Sequence, residues 1–321
     1  MSLLGTIGPA VARWGLFVGI TLMLGAVAFR LVVLARWRGH RPWPQALPGA
    51  DETSATTGLR AAVVSLLALP LILLDEILRF RDPFSPFGAE LDLLVTGTTW
   101  GRMWQLQLLS VVLALIAFSV VRVRQKGGGS AGFGASAGFS APWGFAAASA
   151  LFCAIVPALS GHSAGTDRFH VLAVGADALH VVAAGSWLGA LGALVIVVRG
   201  ATNRGAVPAE VLPALVAAFS LLALLSAGAL VGTGLLATWL HVGSLGGLIG
   251  STYGRILLAK VGLVGVAAGL GAYNWKRVTP RLGSPEGSQA FMSGSGRSEL
   301  VMGLLVLLLT AVLVVTPHPM G

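Results

Sequence analysis

The sequence predicts an all-α fold, a polytopic bundle of about eight helices that cross a membrane. Three observations predict it. Hydrophobic residues make up 55% of the 321-residue chain and charged residues only 10%, against roughly 25% charged in an ordinary soluble domain. The apolar residues gather into eight stretches, each near the roughly 20 residues that a helix needs to cross the hydrocarbon core. Between those stretches Lys and Arg are alternately dense and sparse. A mean hydropathy of +0.85 excludes a water-soluble enzyme and a disordered chain. The net charge of +9 reads as basic loops held at a membrane surface, with no nucleic-acid partner.

In chain order the spans fall near 10–35, 59–80, 100–121, 142–160, 172–198, 211–238, 252–273 and 298–316. Residues 1–150 form an N-terminal region whose fourth span starts near 142, and 151–321 hold the rest of that span and the last four. Ala26-Val27-Ala28 resembles a signal-peptide cleavage site, but only Arg13 precedes it as a basic residue, so the first span is read as retained. Pro70 should kink the second span. The Gly/Ser-rich stretch from Gly127 to Ser140 reads as a linker. Glycines spaced by four at Gly185/Gly189, Gly228/Gly232 and Gly265/Gly269 would permit close helix approach and are expected to pack within the bundle.

Orientation follows from the basic residues of the short loops. The odd loops carry Arg36, Arg38 and Arg41, then Arg122, Arg124 and Lys126, then Arg199 and Arg204, then Lys276, Arg277, Arg281 and Arg297. The even loops and their helix ends hold only Arg79, Arg81, Arg102 and Arg168, with Arg255 at the margin. The odd loops are therefore expected in the cytoplasm and both termini outside, in the inner (plasma) membrane.

That topology gathers the histidines. His162 and His170 flank the fourth loop, His241 lies in the sixth and His318 in the tail, all expected outside; only His40 is cytoplasmic. His180 falls within the fifth span, about 12 Å below its outer end at 1.5 Å per residue. Met103 and Met320 share the outer side. The pattern points to an external site for a cation that favours imidazole; in the tail, His318 and Met320 together suit copper in either oxidation state, or form an ordinary terminal segment. Neutral imidazole is the binding form, and copper affinity is expected to fall below about pH 6.5.

The fifth span carries the sharpest local signal. Asp177, His180 and Trp187 project from one helical face, and ionisable groups in a span usually face the bundle interior. His180 would bind metal or relay protons, with Asp177 orienting its imidazole and Trp187 beside it. The competing reading is a structural hydrogen bond that locks two helices. Asp75-Glu76 is either a cation-attracting vestibule or a solvated helix end. Lys260 either pairs with Asp177 across the bundle or snorkels to an interface. The single cysteine, Cys153, excludes a disulfide framework and reads as a packed helix residue. Haem b is the alternative cofactor, since helical histidines are its usual ligands. No phosphate-binding GxxxxGK[ST] loop and no hydrolytic constellation occurs, so no enzyme is expected.

Two stretches carry a family resemblance. Residues 179–194, LHVVAAGSWLGALGAL, resemble the His-then-Trp-Leu-Gly helix of the copper-resistance protein D (CopD) family. Residues 225–275 resemble its C-terminal core, with Gly232-Thr233-Gly234, Thr252-Tyr253-Gly254-Arg255 leading into LLAK at 257–260, and Ala272-Tyr273-Asn274. SGHSAG at 160–165 is also similar. The resemblance covers about 155–316 and is topological over 1–150. It implies eight spans, an external C-terminus, copper as the ion and a CopC-type extracytoplasmic copper carrier as partner. His318 between prolines departs from the plainer tail such proteins have. A non-transporting membrane scaffold for the carrier is the further alternative.

Overall fold

The computed structural model describes residues 3–38, 47, 49–126, 140–160, 170–202, 211–241, 249–282, 284, 294 and 296–316. They are overwhelmingly helical, with no strand among them, and eight helices are long and apolar enough to cross a membrane. Helix α1 runs Leu3–Ala28, passes through a π-helical segment at Phe29–Leu34 and ends with Ala35–Arg38. Helices α2 (Ala50–Phe80), α3 (Thr99–Lys126) and α4 (Ala141–Ser160) follow. Helix α5 spans His170–Ala184, a π-helical segment at Gly185–Gly189, and Ala190–Thr202. Helix α6 is Val211–His241, α7 is Thr252–Tyr273 with a π-helical Asn274–Val278 after it, and α8 is Gly296–Val315.

Helix α1 is the hub, packing on α2, α4, α5 and α8. One apolar cluster joins Leu16, Ile20 and Met23 of α1 to Leu69 of α2, Phe118 of α3 and Ala150 of α4. A second joins Phe29 and Leu34 of α1 to Leu191 and Leu194 of α5 and Leu215 of α6. On the opposite side of α2, Leu67, Leu71, Leu74 and Leu78 are exposed at helical spacing. An apolar stripe turned outward is what a lipid-facing helix requires, since hydrocarbon tails are as apolar as leucine.

Helix α2 starts nine residues before the predicted 59. Its polar first turns find partners: Asp51 pairs with Arg30 of the π-helical segment at 2.5 Å, and Ser54 Oγ donates to the Ala50 carbonyl at 2.8 Å. Arg30 also stands 5.8 Å over the Trp143 ring, a cation–π distance. The helix runs unbroken across Pro70.

The glycine pairs divide. A Cβ on Gly189 would meet the backbone of Thr21 and Gly25, and one on Gly25 would meet Gly189. The backbones of α1 and α5 therefore touch there, as the Gly185/Gly189 spacing predicts. The expectation fails for the other two pairs. Gly228, Gly232, Gly265 and Gly269 have nothing near an added Cβ among the described residues. The reason is position: α7 packs on α8 at the rim of the bundle, and most of its face is turned outward. At the odd-loop end the two helices are joined by Asn274, whose Nδ2 donates to the buried Glu299 carboxylate.

Candidate metal site

Helices α5, α6 and α7 carry polar groups in the half of the bundle nearest the even loops. His180 lies eleven residues into α5, on the face that packs against α6. Its Nδ1 is 2.8 Å from Thr233 Oγ1 of α6. The Thr233 hydroxyl is itself 2.6 Å from the Ala229 carbonyl and 3.3 Å from that of Leu230. A hydroxyl has one proton and two lone pairs, and the short contact to Ala229 takes the proton. Thr233 Oγ1 therefore accepts from His180, Nδ1 carries the hydrogen, and Nε2 presents its lone pair. Gly234 beside it leaves room: a Cβ there would stand 4.0 Å from His180 Cε1.

Thr233 is a partner of the imidazole that the sequence reading did not name. Asp177 lies one turn nearer the even-loop end and interacts electrostatically with Tyr253 and Lys260 of α7. Lys260 in turn acts on His180. Helix α7 is started by Ser251, whose Oγ accepts from the Gly254 N–H at 2.9 Å. That cap, of the kind helices prefer, fixes the turn from which Tyr253 projects.

The remaining candidates are spread. Trp187 sits in the π-helical segment of α5 and packs against the cluster of α1, α5 and α6. Met103 is half-buried on α3, which packs on α2 and α4, whereas His180 faces α6. His170 and His241 are the first residue of α5 and the last of α6, so these antiparallel neighbours put both at the even-loop end; their side chains lie outside the described residues. His162, His318 and Met320 also lie outside them. Among the described residues no group of three or more His, Cys, Asp or Glu is arranged to hold a metal ion.

Asp75 and Glu76 are not left to attract cations. Arg13 of α1 donates to Asp75 Oδ2 at 2.9 Å and approaches Glu76 Oε2 at 3.7 Å. Arg79 adds a 3.3 Å contact to Asp75. Two carboxylates face two guanidinium groups, and the cluster ties α1 to α2.

The arrangement defines a polytopic helical membrane protein with an imidazole hydrogen-bonded between two of its helices and within electrostatic reach of a lysine. The Copper resistance protein D (CopD) family matches residues 213–313, which hold Thr233, Tyr253 and Lys260 but not His180. The match supports the assignment to the CopD family drawn from the sequence. Comparison with curated proteins and with solved structures gave no match.

Thr233 was missed by sequence reasoning as a functional residue. A signal was present, since a hydroxyl between two glycines in an otherwise apolar span needs a hydrogen-bond partner.

Proposed function

We propose that this chain handles copper in the plasma membrane, taking the ion from the external side and moving it inward or handing it to a partner. The observation that carries the reading is the 2.8 Å approach of His180 Nδ1 to Thr233 Oγ1. The ring's Nδ1–H is committed to Thr233, so Nε2 is the atom left to bind. Metal-ligating histidines are typically held in this way through the other ring nitrogen. The family match supplies copper as the ion, and imidazole accepts it.

His170 and His241, at the even-loop end, are the first imidazoles an external ion would meet, with His162, His318, Met320 and Met103 as further donors on that side. Asp177 offsets the charge of an ion arriving at His180. Trp187 packs the helix that carries it. A CopC-type extracytoplasmic carrier is the proposed donor of copper.

Equilibrium copper binding to the purified full chain tests this reading. Wild type is expected to bind copper and His180→Ala to lose at least tenfold in affinity at one equivalent. Equal binding by the two proteins would overturn the role of His180. A Soret band in the protein as purified, absent from the variant, would assign His180 to haem b instead.

A further inference from the structure

A second polar cluster lies in the seam between α3 and α4, apart from His180. On α3, Met103, Gln107 and Ser110 fall at i, i+4 and i+7, one face of the helix. Opposite them on α4 is Cys153, the only cysteine of the chain and fully buried. Gln107 is 5% exposed, and its Nε2 donates to Ser110 Oγ and to the Cys153 carbonyl, both at 3.3 Å. Ser110 Oγ in turn donates to the Gln107 carbonyl at 2.8 Å. These bonds hold the carboxamide against the cysteine, and Gln107 Oε1 is buried with no hydrogen-bond partner. A buried acceptor left without a donor carries its full desolvation penalty, so such a group calls for an explanation.

We propose that Cys153, with Gln107 and Met103, forms a second copper position in this bundle, one that takes Cu(I). The inference rests on the copper-handling reading above and names a further site on the ion's route. Thiolate and thioether are the donors that select Cu(I). The Cys153 thiol gives up its proton to solvent water and the ion takes its place on sulfur, Cys–SH + Cu⁺ + H₂O → Cys–S–Cu + H₃O⁺, with no change of oxidation state. The group is neutral before and after, and its neighbours Gln107 and Ser110 are neutral, so the exchange leaves no uncompensated charge in the seam. Gln107 Oε1 gives the ion a carbonyl dipole that no donor now uses. Met103, one turn nearer the even-loop end on the same face, offers a thioether on the way in.

The test is anaerobic competition for Cu(I) between a chromophoric chelator and the purified full chain. Wild type is expected to bind one equivalent that Cys153→Ser and Cys153→Ala lose, with affinity down at least tenfold. Gln107→Leu should weaken that equivalent about threefold, and His180→Ala should keep it. Thermal melting checks that each variant is folded. Wild-type Cu(I) stoichiometry and affinity in both folded Cys153 variants would overturn the inference, and if His180→Ala alone lost copper the copper-handling reading would stand without it. A wild-type chain that binds no copper would overturn both.

Discussion

His180 and Thr233 meet across the α5–α6 interface, Nδ1 to Oγ1, at 2.8 Å. The bond runs from imidazole to hydroxyl because the hydroxyl proton is used on the Ala229 carbonyl at 2.6 Å. A single threonine thus fixes both the ring's orientation and which nitrogen can accept an ion. Thr233→Val keeps the shape and removes the acceptor, and it should lower copper affinity about 10- to 100-fold, as loss of a ligand's supporting bond typically does. Thr233→Ser should restore most of it. Copper titration of the two variants checks this; equal loss in both would point to packing instead.

Arg13 should matter to stability more than its place near a helix end suggests. Its side chain is 12% exposed and those of Asp75 and Glu76 are 15% and 14%. Arg13→Met leaves Glu76 without its ion partner and Asp75 with only the Arg79 contact, at a cost of up to about 3–5 kcal/mol for breaking such a cluster from one side. Adding Asp75→Asn and Glu76→Gln should recover a large part of the loss. Thermal melting in detergent measures both, and a melting temperature unchanged by Arg13→Met would count against the ion cluster.

The glycines give a paired prediction. Gly189→Leu forces α1 and α5 apart where their backbones touch, and overpacking of this kind costs about 1–3 kcal/mol or more. Gly265→Ala meets nothing among the described residues, and helix propensity favours alanine by up to about 1 kcal/mol. The first variant should melt earlier and the second no earlier than wild type. A reversed order would contradict the packing of α1 on α5.

Glu299 and Asn274 join α7 to α8. Glu299→Gln should keep a hydrogen bond and fold nearly as well. Glu299→Leu leaves the Asn274 amide donor buried without an acceptor, a cost of about 1–3 kcal/mol. Limited proteolysis at the odd-loop end would show it as faster cleavage in the leucine variant alone.

The eight helices and their order were legible in the sequence, because apolar runs of spanning length say as much about a membrane helix as the structure does. The early start of α2 was not, since Asp51 and Ser54 look like loop residues until Arg30 is seen beside them. The intramembrane site was half legible. His180 stood out as a costly group in a span, but spacing along one helix sees only neighbours such as Asp177. Thr233 lies 53 residues away on α6, and nothing in the periodicity of either helix pairs them. Glycine spacing failed at Gly228/Gly232 and Gly265/Gly269 for a related reason, as the pattern permits close approach without saying which helix comes near.

The most direct measurement is total copper in cells that express the wild-type chain, His180→Ala or neither, at matched membrane abundance and modest external copper. Inward movement through His180 predicts more copper in cells with the wild-type chain and the level of empty cells with the variant. Equal copper in all three, with the chain present in the membrane and a CopC-type carrier supplied, would contradict it.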